Sequence, residues 1–216
     1  MTINRTSGMR RCTRMVRATL FSLVATVALA VGNSTQAGAV VDASNHIVDF
    51  DGNDISVSMV DTNLMFVPPL DDSIFTREWF HGGRAAIKIT GDKAKDFAGT
   101  VKMGYQVGYP ATFTGALTFT WDTPNFTMQL GTNGFAPQLT SGLPTFGTTM
   151  SVGNGPGIVD IEVISTSFTG DTTEIGMSAF HASVTGVIGR TNIRPWVTVI
   201  NSSGFRVTTI GPIYRN

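Results

Sequence analysis

Cysteine is almost absent from this chain: among 216 residues, Cys12 is the single thiol. It sits in a leader that is expected to be cut away, so the remaining protein can hold no disulfide framework, no thiolate nucleophile and no cysteine-bound zinc. Helical pattern is missing too. No amphipathic period persists beyond two turns, and the apolar stretch 18–31 falls short of the roughly 20 residues that a membrane-spanning helix needs. Catalytic signatures are lacking as well. There is no G-x-S-x-G elbow and no H-x-x-x-H pair, and Gly153-Asn154-Gly155-Pro156-Gly157 is followed by no Lys-Ser/Thr that would complete a phosphate loop. His46, His81 and His181 are scattered, so no metal or cofactor is expected and an enzyme is the least supported class. The deepest shortage is of charge. Asp122 is the one charged side chain in 103–159, in a chain that is 14% charged.

What the N-terminus does contain is an address. Arg10, Arg11, Arg14 and Arg17 precede the apolar stretch 18–31, and Ala37-Gly38-Ala39 closes it with small residues. That order is a secretory signal, residues 1–39, with the mature chain expected to begin at Val40. Five arginines leave with it, Arg5 included, and the exported part keeps ten basic against 15 acidic residues, about −5. An acidic exported protein is a poor partner for nucleic acid.

Inside the charge-poor region, 112–123 alternates strictly. Phe113, Leu117, Phe119 and Trp121 share one parity, and Thr112, Thr114, Thr118, Thr120 and Asp122 share the other. Period two is the mark of a β-strand with an oily and a wet face. A soluble sheet normally dresses its wet face with Lys and Glu, whereas here it is nearly all hydroxyl, as expected of a transmembrane β-hairpin. The oily set is therefore expected to face lipid and the hydroxyl set a water-filled lumen, with Asp122 either on that lumen or a hydrogen-bonded strand-end residue before Pro124. The parity slips by one at Pro124-Asn125, after which Phe126 and Met128 are the apolar positions, so a bulge or bend is expected there. The hairpin spans 107–153. It cannot stand alone in a bilayer, because its outer edges would leave backbone N–H and C=O groups unpaired at several kcal/mol each. Several chains must close one sheet. Copies of this chain, or a homologous subunit, are the expected partners.

The flanks carry ordinary charge density and read as soluble β-structure. Ile55, Val57 and Met59 alternate, 86–90 and 100–107 are expected to form a hairpin around Gly91-Asp92-Lys93, and further strands are expected at 158–168, 179–187, 196–200 and 205–210. The fold expected is all-β, with a sandwich-like rim domain from 40–106 and 154–216 and one long hairpin per subunit. Asp49-Phe50-Asp51-Gly52-Asn53-Asp54 has the flavour of a calcium loop but lacks its glycine position and closing Glu, and reads as a turn. Arg77-Glu78 beside Trp79-Phe80 is read as an intersubunit contact or a surface salt bridge over core aromatics.

In order and spacing, Thr76-Arg77-Glu78-Trp79-Phe80-His81-Gly82-Gly83-Arg84-Ala85, Gly104-Tyr105-Gln106-Val107-Gly108-Tyr109-Pro110, Thr123-Pro124-Asn125 and Gly153-Asn154-Gly155-Pro156-Gly157-Ile158 closely resemble the MspA-like porins of mycolic-acid-bearing actinobacteria. The similarity continues through 181–189 and Arg194-Pro195. The resemblance implies a goblet-shaped channel in the mycolate outer membrane, octameric, with a 16-stranded stem barrel built from eight hairpins and passive diffusion of small hydrophilic solutes. One departure stands out. The family places adjacent aspartates a few residues after Thr-Pro-Asn, at the narrowest point of the pore. The corresponding residues here are Gln129 and Leu130, followed by Gly131, Thr132 and Asn133. Gln129, Thr132 and Asn133, with Leu130 near them, are the expected constriction. Without a carboxylate ring, cation preference is expected to be mild. Two other classes fit the same residues. A secreted pore-forming toxin also carries one amphipathic hairpin per protomer, and a non-porating sandwich would bury the charge-poor stretch as core.

Overall fold

A computed structural model describes residues 39–122, 125–130, 134–135 and 146–216. The strands are β1 (Val41–Val48), β2 (Asp54–Val67), β3 (Thr76–Thr90), β4 (Ala98–Tyr109), β5 (Ala111–Thr112), β6 (Ala116–Trp121), β7 (Asn125–Leu130), β8 (Gly134–Phe135), β9 (Phe146–Ser151), β10 (Gly157–Thr169), β11 (Thr172–Thr185), β12 (Val187–Ile188), β13 (Asn192–Asn201), β14 (Arg206–Ile210) and β15 (Tyr214–Arg215). One 3-10 turn, Ala94–Asp96, separates β3 from β4. No helix among the described residues is long and apolar enough to cross a membrane.

Two antiparallel sheets face each other. The larger runs β1-β2-β3-β11-β6-β9, with β7 also on β11 and β8 on β7; the smaller runs β10-β4-β13-β14, with β15 on β13. Period two decides which side chains meet between them. Ile55 and Val57 from β2, Ile87 from β3 and Ile175 from β11 point inward onto Val101 and Val107 from β4 and Val197 and Val199 from β13, in one continuous apolar core. The expected strand at 158–168 is β10, 196–200 lies in β13 and 205–210 is closely matched by β14.

The expected hairpin of 86–90 with 100–107 does not form. β3 pairs with β2 and β11, and β4 pairs with β10 and β13, so the two lie in opposite sheets. The reason is Phe97, buried at the corner and packed on Phe168 at 5.5 Å between ring centroids, which draws the chain across the end of the core. Asp49 does terminate β1 in a turn. Its carboxylate accepts the N–H groups of Asp51 (3.0 Å) and Asn53 (2.9 Å) and the side-chain amide of Asn201 (3.1 Å).

Four bulges interrupt the ladders of the described residues, the first between Val41 and Ala43 on β1. Another opens between Glu162 and Ile164 on β10, one between Val60 and Asn63 on β2, and one between Met177 and Phe180 on β11. On β11 the extra residue brings Ala179 to a φ of 54°, a left-handed conformation that costs an alanine of order 1 kcal/mol. The consequence is a change of parity. Core positions on β11 are odd at Ile175 and Met177, then even at Phe180, Ala182 and Val184.

Candidate functional site

The amphipathic strand lies along the outer edge of β11. β6 pairs there through Thr118↔Thr185, Phe119↔Val184, Thr120↔Ser183 and Trp121↔Ala182, and β7 continues in the same register through Asn125↔Ser178, Phe126↔Met177 and Met128↔Ile175. The parity slip read at Pro124-Asn125 therefore has a counterpart. It falls between Trp121, opposite Ala182, and Asn125, opposite Ser178, the stretch of β11 in which the left-handed Ala179 changes the inward positions. Residues 123–124 themselves lie outside the described residues.

In the single chain this placement sets part of the oily face against the sandwich. Leu117 and Phe119, expected against lipid, are 0% and 1% exposed and belong to the sandwich core. Their alternation is real, but the sandwich core covers their oily face in this subunit. Phe113 does point outward, at 66% exposure, and leans on Phe75 at 5.1 Å, while Trp121 is half-buried against the core. Among the hydroxyl set, Thr114 and Thr118 are exposed and Thr120 and Asp122 half-buried on the opposite, outer face of the sheet. Thr112 is the exception. It is buried, because its Oγ1 donates to the Gly153 carbonyl at 2.7 Å and accepts the Gly115 N–H at 3.1 Å, closing the root of the hairpin. Of the expected constriction, Gln129 and Leu130 are in β7 opposite Glu174 and Thr173, and Thr132 and Asn133 lie outside the described residues.

Beside β6, the outer face carries a cluster that the sequence did not announce. His181 Nε2 lies 2.7 Å from Glu78 Oε1, and its Nδ1 lies 3.0 Å from Asp122 Oδ2. The ring stacks on Phe80 at 4.7 Å, and the backbone N–H of Asp122 donates to the His181 carbonyl at 3.0 Å. Three strands, β3, β11 and the end of β6, are thus tied by one imidazole. Partial burial opposes its charge, but its hydrogen bonds to Asp122 and Glu78 and the negative charge of both carboxylates outweigh that, and its pKa lies above the ordinary 6.5. Only the protonated ring can donate to both acids. The link is therefore complete below the raised pKa and loses a hydrogen bond as pH climbs through it.

Among the described residues Arg77 and Glu78 do not pair with each other. Arg77 instead donates to the carbonyls of Ile74 (2.8 Å), Thr76 (2.7 Å) and Gly189 (2.8 Å), and Glu78 also accepts the Leu70 N–H at 3.0 Å. Farther along the same face, Arg84 holds Asp61 at 2.5 Å and Glu174 at 2.7 Å. Beneath the face, in the core, Tyr105 lies 2.5 Å from His81 Nδ1. Burial lowers the pKa of His81 to about 4 and raises that of Tyr105 well above its ordinary value, so both are neutral structural groups. No group of three or more His, Asp or Glu among the described residues is arranged to hold a metal. The outer face of β6 is polar and hydroxylated at Thr118 and Thr120.

Comparison with known proteins places this arrangement. The family described as MspA matches residues 51–211. Porin MspD of Mycolicibacterium smegmatis (strain ATCC 700084 / mc(2)155) is 35% identical over 198 residues, 89% of this chain and 94% of its own length. Porin MspC of the same organism is 34% identical over 209 residues, 94% of this chain and 97% of its own length. Porin MspA, also from that organism, is 33% identical over 198 residues, covering 89% and 94% respectively.

Proposed function

This chain belongs to the MspA family, and we propose that it is an outer-membrane porin: subunits join into a ring whose single hairpins close a water-filled β-barrel for small hydrophilic solutes and ions. One observation carries the reading. A region nearly free of charge, 103–159, alternates oily residues with hydroxyls, and one such hairpin per chain can satisfy its backbone in lipid only by closing with others. In the assembled channel the rim domain is 40–106 with 154–216, and the stem is 107–153, exported by the leader 1–39. An octamer supplies 16 strands. Phe113, Leu117, Phe119 and Trp121 then face hydrocarbon, with the indole suited to the membrane boundary. Thr112, Thr114, Thr118, Thr120 and Asp122 line the lumen, and Gln129, Leu130, Thr132 and Asn133 form the narrowest ring. The channel lies in the mycolate outer membrane.

Selectivity follows from the charge on that wall. Carboxylates ringing a narrow, poorly screened tube attract cations, and Asp122 is the one acid that the stem retains. Reversal potentials of the purified channel across a salt gradient should show a mild cation preference, reduced in Asp122→Asn with assembly unchanged. A strong anion preference in the unmodified protein would overturn the reading. Equal preference in the two proteins would remove Asp122 from the lumen.

A further inference from the structure

The stem strand has two claims on it. A barrel in lipid requires Leu117 and Phe119 outside, against hydrocarbon, yet the single chain holds both in its sandwich core. We infer that the subunit stores its stem along β11 before assembly, and that joining the ring lifts β6 and β7 away and leaves the β11 edge for a second copy of this chain. The inference rests on the porin reading above, since only a membrane stem gives the strand a second place to go.

Three observations support storage. The strand is in register with β11 on both sides of residues 123–124, with Phe119, Trp121, Phe126 and Met128 each opposite an inward position of β11. Its parity break matches the break that Ala179 imposes on β11, which a strand fitted to lipid alone has no reason to share. At Leu117 and Phe119 its oily face is kept from water, as a hairpin must be while it travels to the membrane unassembled. The Glu78–His181–Asp122 link acts as the latch, because it joins the end of β6 to the sheet behind it. Glu78 and Phe80 reach this ring from β3 and Asp122 from β6; on its own strand, Glu174 is engaged by Arg84. Release also uncovers the backbone of β11. Its N–H and C=O groups then need another strand, and an adjacent copy supplies one.

The mature chain is free of cysteine, so a disulfide can test this cleanly. Thr120 and Ser183 are opposed on β6 and β11, and Thr120→Cys with Ser183→Cys should oxidise in the monomer and tether the stem to the rim. The oxidised monomer should form neither oligomer nor channels in planar bilayers, and reduction should restore both. Ala116 and Ser151, neither of them among the lumen residues named above, are opposed on β6 and β9. A disulfide there travels with the hairpin, and that variant should assemble and conduct while oxidised. Free assembly of the oxidised Thr120/Ser183 variant, or failure of its thiols to pair in the monomer, would overturn storage. If the unmodified protein conducts no ions at all, the porin reading itself falls, and this inference with it.

Discussion

Phe119→Asp should abolish the folded subunit, while Thr120→Asp, one residue away, should leave it intact. Phe119 belongs to the same buried core as Trp79, Tyr105 and Phe180 and lines one small cavity with them, with 1% of its surface exposed. Removing such a ring costs about 3–5 kcal/mol, and a carboxylate buried there without a partner costs several kcal/mol more, or takes up a proton instead. Together these rival the whole stability of a domain, about 5–15 kcal/mol. Thr120 stands on the outer face beside Ser183, where a new acid meets solvent and the effect should stay within about 1 kcal/mol. In the proposed barrel the same contrast is expected, with the oily face against hydrocarbon and the hydroxyl face against water. Near-ultraviolet circular dichroism and the survival of an oligomer on a denaturing gel provide the measurement. A folded, assembling Phe119→Asp protein would show that the alternation has been assigned to the wrong faces.

Gly104→Ala should be nearly as damaging, although it adds a single methyl group. The bulge between Glu162 and Ile164 drives the Ile161 carbonyl into the space above Gly104, and the Trp196 indole closes the other side, so a Cβ at this position would overlap a backbone oxygen. Backbone cannot step aside as a side chain can. A loss of about 3 kcal/mol is expected from overpacking, with the β4–β10 ladder forced apart. Gly108→Ala on the same strand is the control. Its Cβ would meet Asn192 at 3.7 Å, an ordinary contact, and stability should change little. Paired denaturation curves measure the difference, and equal midpoints would refute it.

These two sites also show where sequence could lead and where it could not. Alternation at Ile55, Val57, Met59 and at Phe119, Trp121 was readable because a strand turns successive side chains to opposite faces. What covers an oily face is not written in its period. Leu117 and Phe119 carry the same signal whether lipid or a facing sheet receives them, and in the single chain a sheet does. The parity slip at Pro124-Asn125 was visible locally, but its match on β11 depends on Ala179, which no glycine or proline marks. The turn-like Gly91-Asp92-Lys93 suggested a hairpin, because local turn chemistry cannot tell a return to the same sheet from a crossing to the opposite one. His181 gained its meaning only from Glu78, 103 residues earlier, and Asp122, 59 residues earlier. Contacts that distant leave no local trace.

The central claim is that one amphipathic hairpin per chain compels several chains to share a barrel. The mass of the processed protein, extracted by mild detergent from the producing cell's envelope, tests it most directly. A single preassembled oligomer, with the mass of eight mature chains for the octamer, is the result expected. Recovery of the protein solely as a stable monomer, free of lipid, would contradict it.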